Sequence, residues 1–203
     1  MSFGNSIDIH GALQRLGTRM LYEHTEPISL VVCGSALNVM NIAQRTTRDV
    51  DVLTIVDETR DGFELQIGSP MPEGFVTLVA KVSLDLGLKP DWVNLGPKDG
   101  LEIYGIPDGM TERWESREYG PSLVIYFIHR LDQIHLKLLA AADPKAPPHH
   151  MEDLVQWLRP SEEEIQTAVD WLLDRNTSDW FRGRVRHVAS ALGYEQIAEN
   201  ISE

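Results

Sequence analysis

The chain changes character at Ile128. Before it, three short runs rich in β-branched and aromatic residues, 28–33, 49–56 and 123–128, are interleaved with helix-patterned stretches; beyond it the pattern is helical to the end. That order (helix, strand, helix, strand, further strands, then helices alone) restricts the fold to class α+β. It suggests an α+β domain over residues 1–128 with an appended C-terminal helical bundle over 129–203. A chain of 203 residues, 42% hydrophobic and 24% charged, has a core to bury and is not of disordered composition. At this size about 70% of the unfolded surface is buried on folding.

Locally, Ile9, Leu13, Leu16, Met20 and Leu21 recur at three- and four-residue steps, an amphipathic helix over 7–23 with Asn5 or Ser6 as its cap. Pro27 stops it, and 28–33 (Ile-Ser-Leu-Val-Val-Cys) reads as a buried strand. A short helix over 36–43 and the polar run 44–48 lead to 49–56, where polar and apolar residues at first alternate as in a strand. Gly62, Gly68, Pro70, Pro72 and Gly74 mark turns before a helix over 75–86. Pro90 biases Lys89 away from helix, so 89–94 reads as extended, and the Gly, Pro and charged residues of 96–120 read as mostly loop. In the tail, helices are expected over 131–142, 151–158, 161–174 and 179–190. The third opens with Ser161-Glu162-Glu163-Glu164, a capping box.

Charge narrows the function classes. With 18 Lys+Arg against 31 Asp+Glu the net charge is −13, which argues against holding nucleic acid by bulk electrostatics but not against a nucleotide or a divalent cation in a cleft. Arg182, Arg184 and Arg186 form the one compact basic cluster, which on its own also reads as a solvated helix face. The apolar runs fall short of the roughly 20 residues of a membrane helix. A single cysteine, Cys33, forms no internal disulfide, and no charged-then-apolar leader opens the chain, so the cytoplasm is the expected location. Cys33 itself reads as a small buried hydrophobe.

The chemistry concentrates where Gly34-Ser35 ends one strand and Asp49-Val50-Asp51 opens the next. Residues two apart on a strand share a face with Cα atoms about 6.5 Å apart, so both carboxylates can hold one or two divalent cations. A Mg²⁺ ion there would neutralise a bound triphosphate. Gly34 would let the backbone approach phosphate, and the Ser35 hydroxyl and the N–H groups that follow would donate to it. Read singly, Gly-Ser is also an ordinary turn and Asp-x-Asp an ordinary solvated strand start.

Together these residues resemble the nucleotidyltransferase superfamily with a polymerase-β-like palm, marked by Gly-Ser or Gly-Gly at a strand end and a later Asp-x-Asp on the next strand. The stretch from Val31 to Leu53 is similar to the AbiEii-type toxin and minimal-nucleotidyltransferase group. That group has an Arg-Thr-x-(Arg/Lys/Asp)-Asp-hydrophobic-Asp lead-in, and this chain has Arg45-Thr46-Thr47-Arg48-Asp49-Val50-Asp51. The resemblance is close over the N-terminal third and looser in the tail, where the matching positions are Asp132, Lys137 and Asp153. Before Asp153 the family has Arg-Asp or Lys-Asp, whereas this chain has His150-Met151-Glu152.

The resemblance implies a nucleotidyltransferase palm over 1–128 and an NTP, such as ATP, in a cleft between it and the C-terminal helices. Asp49 and Asp51 would be the metal ligands for Mg²⁺. Gly34, Ser35, Arg48 and Lys137 would hold the nucleotide, and Asp91, as a third carboxylate, or Asp153 would deprotonate or orient the acceptor. That acceptor would be a tRNA 3′ end or a protein hydroxyl, within a toxin–antitoxin system with a cognate partner. The alternative is a non-catalytic member that keeps the palm as a nucleotide- or protein-binding module. On the residues alone, Lys137 also reads as a surface lysine and Asp153 as a first-turn acid. Asp91 also reads as a strand-end acid beside a buried Trp92, and Arg45 and Arg48 as salt-bridging groups. His149-His150, with His135 and Glu152, lack a zinc ligand set, and no P-loop, nucleophile-elbow or dinucleotide-binding motif is present.

Overall fold

The computed structural model describes residues 8–34, 36–42, 49–60, 62–96 and 98–201. The protein is α+β: a small mixed sheet of six strands flanked by helices, followed by a helical C-terminal region. It divides into two compact units, Met1–Ile103 with Thr111–Ile128, and Tyr104–Met110 with His129–Glu203. The short segment 104–110 belongs to the second unit because Asn176 Nδ2 donates to the Tyr104 hydroxyl (2.9 Å), the Tyr104 ring lies against Phe181, and Asp108 pairs with Arg175 (3.0 Å).

In chain order the elements up to residue 128 are α1 (Ile9–Tyr22), β1 (Ile28–Val32), α2 (Ala36–Val39), β2 (Val50–Thr59), β3 (Gly62–Leu65), α3 (Glu73–Leu86), β4 (Val93–Asn94), α4 (Lys98–Tyr104), α5 (Met110–Arg113), β5 (Glu115–Glu118) and β6 (Leu123–Phe127). The N-cap of α1 is Asp8; the expected caps Asn5 and Ser6 lie outside the described residues. The strands run in the order β3-β2-β1-β6-β5, and β4 pairs with the start of β2. The β1–β6 and β2–β4 ladders are parallel and the others antiparallel.

The period of two along β1 and β6 sends Ile28, Leu30, Val32, Leu123, Ile125 and Phe127 to one face, where they pack with Leu13, Leu16 and Met20 of α1 and Leu78, Val79 and Val82 of α3. Burying each such side chain contributes about 1.5–3 kcal/mol. On β2, Val50 and Val52 join this core, but past a register shift at Val31/Val32 it is Ile55 that does so. An extra residue in one strand reverses the alternation beyond it. Asp51, between Val50 and Val52, therefore stands on the opposite face. Further along that face, Tyr126, Trp114 and Phe63 pack together, with ring centroids 4.5 to 5.5 Å apart, so the β2–β3 hairpin curls over the sheet.

The region 96–120, expected as loop, instead carries α4, α5 and β5. Strand β5 (Glu-Ser-Arg-Glu) has no apolar alternation to announce it; its ladder with β6 makes it a strand. Arg117 on it is held by Glu115 (2.8 Å) and by His10 of α1 (3.1 Å).

The second unit holds α6 (Arg130–Ala142), α7 (His149–Glu152), a π-helical turn (Asp153–Leu158), α8 (Glu162–Arg175), α9 (Asp179–Ala191) and α10 (Glu195–Asn200). The sequence pattern of 151–158 indicates a helix but not its i→i+5 winding, which ends at Arg159 with φ +43°. The capping box of α8 is formed in both directions: the Glu164 N–H donates to Ser161 Oγ (3.2 Å) and the Ser161 N–H to Glu164 Oε2 (2.8 Å). Among the described residues no helix is long and apolar enough to cross a membrane.

Candidate functional site

The C-terminal end of β1 and the start of β2 meet at Asp51, whose carbonyl accepts from the Cys33 N–H (3.0 Å). Its side chain emerges on the face away from the α1/α3 core, against the backbones of two glycines. A methyl on Gly34 would lie 2.5 Å from Asp51 Oδ2, and one on Gly96 would lie 3.0 Å from Asp51 Oδ1. Gly34 also has φ +46°, a left-handed conformation that costs a residue with a side chain about 1–2 kcal/mol. Only glycine meets both demands at position 34.

Across the parallel β2–β4 ladder, Asn94 is the register partner of Asp51 and Val93 that of Val50. Val50 and Val93 both enter the core, so Asn94 shares the face of Asp51. Its Oδ1 lies 3.0 Å from the same Gly96 methyl position. Asn94 and Gly96 went unmarked in the sequence because nothing local distinguishes them. The pairing of two Val-polar dipeptides, Val50-Asp51 and Val93-Asn94, is the only trace of their alignment.

Asp49 is half-buried immediately before β2, two residues from Asp51. Asp91 is exposed in the turn that precedes β4, at the end of that strand corresponding to the Asp49 end of β2; the residue opposite Asp51 is Asn94. Beside Asp91, Trp92 is buried and donates Nε1–H to the Val79 carbonyl (3.1 Å). Ser35, Arg45 and Arg48 lie outside the described residues. Tyr126, on the Asp51 face of the sheet, donates to Glu58 (2.7 Å); burial, then that carboxylate, push its hydroxyl up to about 12.

Lys137 and Asp153 come together within the second unit. Lys137 lies in the middle of α6, Asp153 opens the π-helical turn, and Nζ is 2.7 Å from Oδ2 with both side chains buried. Asp132 on α6 is also fully buried. Arg182, Arg184 and Arg186 are turned to backbone: Arg182 donates to the Thr177 carbonyl (3.2 Å), Arg184 to that of Ala142 (3.0 Å) and Arg186 to that of Ile201 (3.1 Å). The basic cluster thus ties α9 to its surroundings.

Among the described residues no group of three or more His, Cys, Asp or Glu is placed to hold a metal. Around Asp51 the available donors are carboxylate and amide oxygens, the hard ligands that Mg²⁺ takes when one or two carboxylates and substrate phosphates complete its shell. The glycines at 34 and 96 let the backbone lie close against the carboxylate. Comparison of the chain with protein-family models, curated proteins and solved structures returned no match.

Proposed function

We propose that the protein is a Mg²⁺-dependent nucleotidyltransferase with a palm-type first unit, acting in the cytoplasm. The observation that carries this reading is the Asp51 carboxylate cradled by Gly34 and Gly96, with Asp49 two residues upstream. When bound, the ion supplies charge neutralisation for the triphosphate and the departing pyrophosphate. Asp49 and Asp51 hold it, and the Gly34 backbone comes close to phosphate. Lys137, paired with Asp153, is the candidate phosphate cation of the second unit.

In the reaction an acceptor hydroxyl oxygen bonds to the α-phosphorus, the α–β phosphoanhydride bond breaks, and pyrophosphate leaves with that electron pair. The hydroxyl proton passes to a carboxylate. Asp91, exposed beside the start of β4, suits that role better than Asp153, which Lys137 already engages. The acceptor is a tRNA 3′ end or a protein hydroxyl, in a toxin–antitoxin setting with a cognate partner. The commitment of Arg182, Arg184 and Arg186 to carbonyl groups favours the protein hydroxyl.

Incubation with each radiolabelled NTP, Mg²⁺ and an acceptor pool tests the reading. Labelled product is expected, and Asp49→Ala or Asp51→Ala should lower its rate by more than the roughly 100-fold typical of losing an outer-shell metal partner. Transfer that survives both substitutions overturns the metal assignment. A second reading, a nucleotide-binding module without turnover, is favoured by the mutual neutralisation of Lys137 and Asp153. It is distinguished by Mg²⁺-dependent NTP affinity with no labelled product.

A further inference from the structure

We propose that the π-helical turn Asp153–Leu158 is an anion-released latch: wound as it stands it keeps Lys137 on Asp153, and a polyphosphate that takes Lys137 lets the turn rewind. The proposal rests on the reading of Lys137 as a phosphate cation, whereas the strain in the turn stands by itself. Both ends of the turn are fastened to one stripe of α6. At its start Asp153 pairs with Lys137 (2.7 Å). At its end the Leu158 and Arg159 carbonyls accept from Arg130, which is also paired with Glu164. Gln133, three residues after Arg130 and four before Lys137, stands between these anchors on the same stripe.

Three features between the anchors are unfavourable. The i→i+5 winding, closed by the Arg159 N–H on the Leu154 carbonyl (2.8 Å), is rare in proteins and gathers at functional sites. Arg159 leaves it at φ +43°, a left-handed conformation that a side chain disfavours. Gln133 is 0% exposed, and among the described residues neither its amide nitrogen nor its amide oxygen has a hydrogen-bond partner. A buried amide left in that state is costly, and an apolar group of its shape is not. Such costs persist only where the surroundings hold them in place. The Arg130 end is held firmly, because Glu164 also belongs to the capping box of α8. The Lys137 end depends on one ion pair, so it is the end that gives. Rewinding π to α moves the residues beyond the held end by about one position, roughly 100° about the axis, which turns Asp153 off Lys137. The face opposite Gln133 is then no longer fixed, and its amide is free to pair. An anion with several charged oxygens competes for the ammonium where a neutral ligand does not.

Titration of the full chain with inorganic tripolyphosphate, followed by calorimetry and by the amide resonances of 153–159, tests the latch in the parent, Gln133→Met, Asp153→Asn and the double variant. Methionine removes the unpaired amide at similar size, so it should raise the Tm without ligand and weaken tripolyphosphate binding at least about fivefold. Asp153→Asn should tighten binding at least about tenfold, and in that background Gln133→Met should have no further effect. Saturating the parent should move the Arg159 resonance, remote from Lys137, because its N–H leaves the Leu154 carbonyl. Unchanged affinity in Gln133→Met overturns the latch. Equal weakening by Gln133→Met with and without Asp153 also overturns it, since Gln133 then touches the anion itself. Binding that leaves the Arg159 resonance in place shows that the turn does not move; in all three cases the nucleotidyltransferase reading stands. No binding to the parent or to Asp153→Asn overturns the latch and the role of Lys137 together, while transfer of labelled nucleotide tests the nucleotidyltransferase reading separately. Thermal unfolding identifies a variant that fails to fold; should Asp153→Asn do so, Gln133→Met against the parent, with the Arg159 resonance, decides.

Discussion

Asp51 and Asp153 were marked by the sequence for the same kind of work and sit in opposite surroundings. Asp51 stands half-buried in the first unit against the backbones of two glycines and beside an amide oxygen. Asp153, 1% exposed in the second unit, has the Lys137 ammonium 2.7 Å away. The chain has supplied Asp153 with a cation of its own. Removing a member of a buried ion pair leaves an uncompensated charge in the core, a cost that falls at the half-buried Asp51 only in part.

The largest expected effect follows from that contrast. Asp153→Leu should destabilise the protein by about 3–5 kcal/mol, while the double replacement Lys137→Met with Asp153→Leu should be close to neutral. Asp51→Asn, at a half-buried position, should cost less than Asp153→Leu. Urea unfolding of the four proteins measures this. If Asp51→Asn costs as much as Asp153→Leu, the two carboxylates have the same structural role and the comparison fails.

The glycines come next. Gly34→Ala must adopt φ +46° and displace Asp51 Oδ2 from 2.5 Å, so a loss of about 1–2 kcal/mol is expected. Gly96→Ala meets Asp51 Oδ1 and Asn94 Oδ1 at 3.0 Å without left-handed strain, and should cost less than about 1 kcal/mol. Both should weaken Mn²⁺ binding in the presence of α,β-methylene-ATP. A Gly96→Ala protein with parental stability and parental metal affinity would show that the close approach of the backbone to these oxygens has no function.

The part of the site that could be read in the sequence is the part written by local rules. Asp-x-Asp at a strand start and Gly-Ser at a strand end follow from a period of two and from glycine's freedom of backbone. The helices α1, α3, α6, α8 and α9 likewise announce themselves by spacing and, for α8, by its capping box. Asn94 and Gly96 are invisible by those rules, because their relation to Asp51 is created by a two-residue parallel ladder between segments more than forty positions apart. The register shift at Val31/Val32 is also non-local: it lets Ile55 rather than an even-numbered residue continue the core begun by Val50 and Val52. Strand β5 escaped notice for the same reason, its residues being charged and its pairing with β6 the whole of its cause. Lys137 and Asp153 could each be picked out by position, but whether they face a ligand or each other depends on how the π-helical turn lies against α6.

The smallest effect probes whether the second unit matches its acids with its own cations at the surface as well as in the core. Glu164 is about a quarter exposed and ion-paired with Arg130, which also donates to the Leu158 and Arg159 carbonyls. Desolvation is the strongest single influence on its carboxyl and pushes it up. Hydrogen bonds from Arg130 and the Ser161 N–H, the Arg130 charge and the Ser161 hydroxyl together outweigh it and hold Glu164 below the ordinary glutamate value. A carboxyl lowered by folding contributes stability above its unfolded value and loses that contribution as pH falls through the folded one. At this exposure the contribution is about 1 kcal/mol or less. Stability of the parent should therefore fall on acidification below the ordinary glutamate range, and Glu164→Gln should be less stable at neutral pH while losing less across that window. Arg130→Met should flatten the acid limb in the same way, since it removes the cation rather than the acid. Parallel acid limbs in all three proteins would place the pH dependence outside the Glu164–Arg130 pair and confine the matching of acid to cation in this unit to its buried groups.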